Sequence, residues 1–452
     1  MANYDIIVLG GGPGGYVSAI RAAQLGAKVA LIEKDQVGGT CLNRGCIPTK
    51  AIIASINLFD QIKKANQFGI TSPAPTIDLG KVIDRKNQVV DKIVKGLGQL
   101  IAKNKIEVIS GTAKVLEPGK VEIETADSRE SNVERRTLEL ESRTLILATG
   151  ATPTRVPGLS FDQQKFLTSD DILNLRTIPE KIDIVGGGVI GIHFARIFSA
   201  LGTAVTIYEA QPEILAGVDE EIVVLIKRIL KRRGVNIVTG TMFDPKQAAN
   251  QTLVCIGRTP NLASLENLKL KMDGRRVWVN EKQETSIPGV YAVGDLSSRQ
   301  QLAHVAYEQG AIAATNAIGG NQSFTYDFVP YGIYTHPEIA GVGLTEAKAK
   351  AQDGGKGLRI GKFPLGALGI SQAMGEIEGF VKVIANKEGH LLGIHIIGPE
   401  ATTLIGSAVI ALRHNLTINQ LADAFQAHPS YPEGLQEAAL SALKMSLHSF
   451  NQ

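Results

Sequence analysis

The chain has 452 residues, with 47 Lys and Arg against 44 Asp and Glu and a formal net charge of +3. Such a length favours two to four domains, and the near-even charge offers neither the basic field of a nucleic-acid binder nor an acidic solvated arm. Only 3 cysteines exclude a disulfide scaffold, and no apolar run approaches the ~18 residues of a membrane span.

Met1-Ala2-Asn3 leads straight into Ile6-Ile7-Val8-Leu9, too short and wrongly flanked for a signal peptide, so a cytoplasmic protein is expected. An organelle matrix is the other setting, had a transit peptide been removed. Tyr4 to Leu9 predicts a buried strand, Gly10-Gly11-Gly12 a tight turn, and Pro13 to Leu25 a helix that Gly26 ends. Lys28 to Ile32 predicts a second strand closing on Glu33. The same order returns from Lys181: strand, Gly186-Gly187-Gly188, helix Val189 to Leu201, Gly202, strand Ala204 to Tyr208, then Glu209. The two copies start 176 positions apart, at Gly10 and Gly186, which is an internal repeat of one βαβ unit.

Each copy carries Gly-x-Gly-x-x-Gly: Gly10, Gly12 and Gly15, then Gly186, Gly188 and Gly191. A dinucleotide pyrophosphate needs close backbone approach at a helix N-terminus, which glycine at these places permits. Glu33 and Glu209 each follow 23 residues after their first glycine, where a carboxylate can meet a ribose hydroxyl. Two such sites imply a flavin paired with a nicotinamide. Ala-Gln-Pro-Glu-Ile-Leu after Glu209 holds no Arg or Lys for a 2′-phosphate, which favours NADH over NADPH.

Between the copies, the charged stretch from Glu117 to Arg143 predicts a β-meander returning to the buried strand Thr144 to Gly150. Before it lies Gly38-Gly-Thr-Cys41-Leu-Asn-Arg-Gly-Cys46-Ile-Pro-Thr-Lys50. Both cysteines are expected at the head of one helix running on through Ala51-Ile52-Ile53, where the macrodipole favours thiolate. Lys50, one turn beyond Cys46, adds positive charge. The pair suits exchange between disulfide and dithiol; structural cysteines or zinc ligands are the alternatives. Zinc would need two further ligands, and the stretch offers neither His nor a third Cys, so no metal is expected. Cys255 lies in an apolar strand and is expected to be inert packing. From about Phe328, alternating strands and the helices Ala401 to His414 and Ile418 to Phe425 predict a separate α+β domain.

With Ile256-Gly-Arg-Thr-Pro-Asn261, Tyr291 to Asp295, Leu302-Ala-His304 and His428-Pro-Ser-Tyr-Pro-Glu433, these motifs resemble the class I pyridine nucleotide-disulfide oxidoreductases over nearly the whole chain. Within them the sequence looks most like the dihydrolipoamide dehydrogenase (E3) branch. The resemblance implies an α/β fold: two Rossmann-like dinucleotide-binding domains, for FAD and NAD, plus a C-terminal α+β dimerisation domain. Residues 1–150 would bind FAD, 151–275 NAD, 276–327 would return to FAD, and 328–452 would form the dimer interface. Around FAD it places Gly10, Gly12, Gly14, Gly15, Glu33, Lys34, Gly39, Thr40, Lys50, Ala113, Thr149, Gly150, Asp295 and Ala303. Along NAD it places Gly186, Gly188, Val189, Ile190, Gly191, Glu209, Gly257 and Arg258.

The implied reaction is oxidation of protein-bound dihydrolipoamide through a Cys41–Cys46 disulfide and FAD to NAD+. Cys41 would be the interchange thiol and Cys46 the thiolate against the flavin, with Lys50 beside them. His428, oriented by Glu433, would act as base across a homodimer interface. Implied partners are a lipoyl-bearing E2 acyltransferase or a glycine-cleavage H protein. Alternatives are a glutathione-reductase-like enzyme and a flavin-bound structural subunit without turnover. The sequence departs from the family in two places. His193 stands where a Glu usually pairs with the lysine, and Gly234 to Ile256 is short, lacking most of the expected β-meander. His304 and His336 are expected to be structural.

Overall fold

The computed structural model describes residues 2–125, 136–249, 251–353 and 357–449; residues 126–135 of the expected meander lie outside them. β-Branched runs form the first parallel strands, β1 (Ala2–Leu9) and β2 (Val29–Glu33), around the slim alanine face of α1 (Pro13–Gln24). The cysteine stretch forms α2 (Gly39–Arg44) and α3 (Cys46–Lys63), and a longer α4 (Leu79–Lys103) follows. Strands β3 (Glu107–Ser110), β4 (Thr112–Glu117), β5 (Lys120–Thr125) and β6 (Arg136–Leu147) complete a sheet of order β3-β2-β1-β6-β5-β4. Pairing is parallel through β3, β2, β1 and β6, and antiparallel through β6, β5 and β4.

A short β7 (Ala151–Pro153) leads to the second unit, built from β8 (Phe166–Leu167), β9 (Lys181–Val185), α5 (Val189–Ala200), β10 (Ala204–Glu209), α6 (Glu220–Arg232), β11 (Asn236–Thr239) and β12 (Thr252–Val254). Its sheet is all parallel, in the order β11-β10-β9-β12-β8. Among the described residues no strand intervenes between β11 and β12. A single 3₁₀ turn at Pro245–Gln247 takes that place, and the Ala249 N–H closes it on buried Asp183 Oδ2 at 2.7 Å. The shortness read from the sequence is thus absorbed in one crossover.

Next, β13 (Arg258–Pro260) pairs antiparallel with β7, and the β14–β15 hairpin (Met272–Asp273, Arg276–Val277) follows. Strand β16 (Val290–Ala292) then returns to pair with β6, and α7 (Ala303–Ala317) packs on α1. The last unit is an antiparallel sheet of order β17-β18-β21-β20-β19, from Tyr331–Ile333, Glu338–Gly343, Leu391–Gly398, Phe380–Ala385 and Arg359–Pro364 respectively. Helices α8 (Glu346–Asp353), α9 (Gly369–Met374), α10 (Ala401–Arg413), α11 (Ile418–Asp423) and α12 (Glu433–Ala442) complete it.

One apolar core joins these units where the chemistry lies. Ile52, Ile53 and Ile56 of α3 share it with Ile192 and Phe194 of α5 and with Ile333 and Phe380 of the last sheet. Buried Arg196 on α5 also donates to Asp60 Oδ2 at 2.9 Å and to Asn57 Oδ1 at 3.1 Å, both on α3. Helix α3 is thereby fixed against the second dinucleotide unit.

Candidate functional site

The two glycine turns share one backbone geometry. Gly12 and Gly188 precede their helices with nearly equal dihedrals, φ −72° ψ −175° and φ −76° ψ −174°. A Cβ on Gly15 would stand 1.7 Å from Gly10 O, and one on Gly191 would stand 2.0 Å from Gly186 O. Gly10 (φ +100°) and Gly186 (φ +114°) press against the carbonyls of Ala148 and Cys255. Only glycine permits this closeness of strand, turn and helix. Gly15 and Gly191 therefore pack helix on turn, while Gly10, Gly12, Gly14, Gly186 and Gly188 face a cavity.

That cavity, of about 1630 Å³, runs through both cradles, well above the ~300–1,000 Å³ of a drug-sized site. Glu33, Lys34, Gly39, Thr40, Ala113, Thr149, Gly150, Asp295 and Ala303 line its first arm. Val189, Ile190, Glu209 and Gly257 line the second, where Met242 and Phe243 from the shortened crossover join them. Phe243 meets the Tyr208 ring edge-on at 5.1 Å. Neither residue was expected from the sequence, whose only signal there was the missing meander.

Arg258 differs from expectation in direction. Its guanidinium donates to Ala151 O at 2.5 Å and Thr40 Oγ1 at 3.2 Å and lies 3.9 Å from the carboxylates of Asp170 and Asp295. It faces the first cradle rather than the second fingerprint, because β13 pairs with β7 and turns the side chain inward.

At the junction of the two arms stand Cys41, Cys46 and Lys50. The cysteines do not share one helix head, as the spacing suggested. Cys41 belongs to α2, and Gly45 (φ −145°, ψ −107°) breaks the chain so that Cys46 is the first residue of α3. Both are free thiols in hydrogen-bond contact, Cys41 donating to Cys46. That hydrogen bond, with Lys50 and the α3 N-terminus, outweighs burial and lowers the Cys46 thiol to about 7. Cys41, as donor in an apolar pocket, is pushed strongly upward. Cys255 is raised to about 12 by burial, in keeping with packing.

Lys50 Nζ lies 4.4 Å from the Tyr334 ring centroid, and burial lowers its pKa against the opposing pull of Cys46 and Cys41. His193 lies beside it, fully buried, with Nε2 accepting the Tyr334 N–H at 2.8 Å. Tyr334 had no sequence signal; the β17 end brings it in. His304 ties to Pro330 O at 2.9 Å, and burial takes His336 down to about 4.

His428 and Glu433 lie outside the cavity. His428 Nδ1 and Glu433 Oε1 are 2.8 Å apart, and the Ser430 N–H donates to Glu433 Oε2 at 2.7 Å. The imidazole is 76% exposed on this chain.

Residues 4–310 match the pyridine nucleotide-disulphide oxidoreductase family, and residues 329–439 match its dimerisation domain. The chain belongs to this family. A dihydrolipoyl dehydrogenase of Bacillus subtilis is 38% identical, over 99% of both chains, and one of Chlamydia pneumoniae is 39% identical, over 99% of this chain and 98% of the other. Among solved structures, LpdA from Mycobacterium tuberculosis superposes with a TM-score of 0.87 at 27% identity, covering 97% of this chain and 99% of that one. The HOCl-induced flavoprotein disulfide reductase RclA of Escherichia coli, as its Cu(II) complex, gives 0.86 at 25% identity with the same coverage.

Members of this oxidoreductase family use FAD and a pyridine nucleotide, and the residues here fit both. In each cradle the glycine before the helix faces open cavity: a Cβ on Gly12 would meet only Gly39 Cα, at 3.8 Å, and one on Gly188 would meet nothing within 4 Å, so a side chain at either would enter the space a pyrophosphate needs. Among the described residues no helix is long and apolar enough to cross a membrane, and no group of His, Cys, Asp and Glu is placed to hold a metal ion.

Proposed function

We propose that this protein is a dihydrolipoyl dehydrogenase, oxidising dihydrolipoamide on a lipoyl domain and delivering the electrons to NAD+. One observation carries the reading: a pair of cysteines, the second at a helix N-terminus with its thiol lowered, beside a half-buried lysine in the cavity that runs through both dinucleotide cradles. Bound FAD supplies the two-electron relay between the cysteines and NAD+.

The chain's own residues do the rest. In the oxidised pair, a substrate thiolate attacks Cys41 Sγ and the Cys41–Cys46 bond breaks. Cys46 departs as thiolate, stabilised by Lys50 and the α3 N-terminus. The second substrate thiol then displaces Cys41 and closes the lipoyl disulfide. The partner subunit's His428, held by the carboxylate beside it, takes the proton from the incoming thiol. The acidic residues Glu33 and Glu209 serve the two ribose ends, and Gly257 lies along NAD. The protein works as a homodimer, with lipoyl-bearing E2 acyltransferases or a glycine-cleavage H protein as partners, in the cytoplasm or an organelle matrix. Residues 1–150 and 276–327 form the FAD part, 151–275 the shortened NAD part and 328–452 the interface.

The test is purified holoenzyme given NADH with lipoamide and, separately, NADPH with glutathione disulfide, following the flavin spectrum. Lipoamide-dependent NADH oxidation is the expected result. Turnover with glutathione alone would make it a glutathione-reductase-like enzyme, and turnover with neither a structural subunit.

A further inference from the structure

We propose that His193 leaves the Cys46 thiolate as the counter-charge of Lys50, so that the Lys50 proton comes and goes with the redox state of the cysteine pair. This rests on the reading of Cys41 and Cys46 as a redox pair, though not on the substrate.

Three observations carry it. Lys50 is half-buried in the wall of the cavity with its ammonium against the Tyr334 ring, and among the described residues it forms no ion pair with a carboxylate. The group beside it from α5 is His193, only 4% exposed. Because Nε2 accepts the Tyr334 N–H at 2.8 Å, the ring proton sits on Nδ1 and the imidazole is neutral. Protonating Nε2 would break that bond and bury a second cation beside Lys50, and both burial and Lys50 hold His193 well below its ordinary range.

The charged and titratable groups facing the pair are few. Lys50 feels Cys46, Cys41 and His193; Cys46 feels Cys41, Lys50 and Asp295; and the phenols of Tyr16 on α1 and Tyr307 on α7, both pushed upward by burial and so neutral, face the two thiols. Asp295 has its own cation, Arg258, at 3.9 Å. The thiolate is thus the anion that answers Lys50.

A partly desolvated ammonium without an anion is disfavoured, so in the disulfide state Lys50 sheds its proton more readily than a free lysine. Reduction by a dithiol then balances within the site. The dithiol loses two electrons and two protons and closes its S–S bond, and the Cys41–Cys46 bond breaks. Cys41 takes one proton as thiol, Cys46 becomes thiolate, and Lys50 takes the other proton as ammonium. Net charge in the cavity is unchanged. With a fixed carboxylate at position 193, Lys50 would stay charged throughout and reduction would take up one proton per two electrons. His193 is therefore a positioning residue for proton uptake, acting through Lys50.

The test is a reductive titration of the holoenzyme with dithionite at a series of pH values, read through the long-wavelength absorbance of thiolate against flavin. Wild type is expected to show a midpoint potential falling with pH at two protons per two electrons at those pH values where Lys50 is neutral in the disulfide state and Cys46 is ionised in the reduced one. His193→Glu should halve that slope and move the absorbance band to a midpoint about one pH unit higher, since the carboxylate competes for Lys50. His193→Gln, neutral like the native ring, should keep the wild-type slope, and Lys50→Met should halve it. A one-proton slope in wild type at every pH where Cys46 is ionised in the reduced state, or equal shifts in the Glu and Gln variants, would overturn the proposal. Because dithionite replaces the substrate, absence of lipoamide turnover alongside a two-proton slope would refute the substrate reading alone.

Discussion

Glu33 and Glu209 hold the same post in the two halves of the molecule: Gly11 N–H donates to Glu33 Oε2 at 2.6 Å, and Gly187 N–H donates to Glu209 Oε2 at 2.7 Å. Each also accepts a second N–H two residues on, from Asp35 and Gln211, at 2.9 and 2.8 Å. The carboxylate at the end of the second strand thus braces the glycine turn while its rim stays open to the cavity. Each cradle is a single device in which acid and glycines set one another's position.

Removing one acid should disable one cradle. Glu209→Ala deletes two charge-assisted hydrogen bonds, worth about 1.5–3 kcal/mol each where fully formed. It is expected to raise the KM for NADH about tenfold or more and to reduce its advantage over NADPH, with FAD retained. Glu33→Ala should instead weaken FAD retention, measured by flavin released on gel filtration. Unchanged nicotinamide preference in Glu209→Ala would refute the ribose assignment.

The two cysteines should separate by spectrum. With the Cys46 thiol held below its ordinary range, Cys41→Ser should keep the long-wavelength thiolate–flavin band and lose lipoamide reduction, whereas Cys46→Ser should lose both. The thiol of Cys46 is lowered in the folded protein to about 7, so the Cys41→Ser band should fade as pH falls through neutrality or somewhat above, where the Cys41 S–H is no longer there to help. A band kept by Cys46→Ser and lost by Cys41→Ser would exchange the two roles.

Much of this arrangement was legible in the sequence because its signals are local. Gly10 to Glu33 and Gly186 to Glu209 are each one strand, turn, helix and strand, so short-range spacing places them. Non-local pairings were not legible. Gly45 lets α2 and α3 part, which spacing alone could not distinguish from one continuous helix. Arg258 is turned toward Thr40 by strand pairing with Ala151–Pro153, more than a hundred positions earlier. Tyr334 meets Lys50 and His193 only after three separate units have packed on one core.

A further non-local contact ties the second dinucleotide unit to the last sheet. Lys382 on β20, with a side chain 2% exposed, bonds Asp219 Oδ1 at 3.0 Å, Glu221 Oε2 at 2.6 Å and Glu346 Oε2 at 2.8 Å. Although burial disfavours the ammonium, these three carboxylates raise its pKa overall. Asp219 also caps α6. Lys382→Met should cost about 3–5 kcal/mol, because buried Asp219 is left without its cation. Lower Tm with the cysteine band intact at low temperature is the expected signature; a Tm within error of wild type would show that the network contributes little net stability.

His428 can be tested for action across the dimer without any structure of the assembly. On one chain it is exposed and outside the cavity that holds the cysteines, while Glu433 fixes its Nδ1 and leaves Nε2 free. An imidazole so held is useful only if another surface brings a thiol to Nε2, and the matched dimerisation domain at residues 329–439 contains it. His428→Ala and Cys41→Ser homodimers should each lose about two orders of magnitude or more of lipoamide turnover. Mixed dimers of the two variants hold one site with both defects and one with neither. They should recover about half the wild-type turnover per dimer, by the counting that follows from one intact site in two. Failure to recover would place the base on the same chain as its cysteine. Glu433 adds a pH signature: burial favours its neutral form, but the hydrogen bonds with His428 and the Ser430 N–H outweigh that and hold it below the usual carboxylate range. Its bracing is therefore present above the ordinary carboxylate range and lost as pH falls through the lowered value. Glu433→Gln, which keeps the shape and removes the charge, should lower maximal lipoamide turnover, because the Nδ1 brace weakens and the carboxylate that balances a protonated ring is gone.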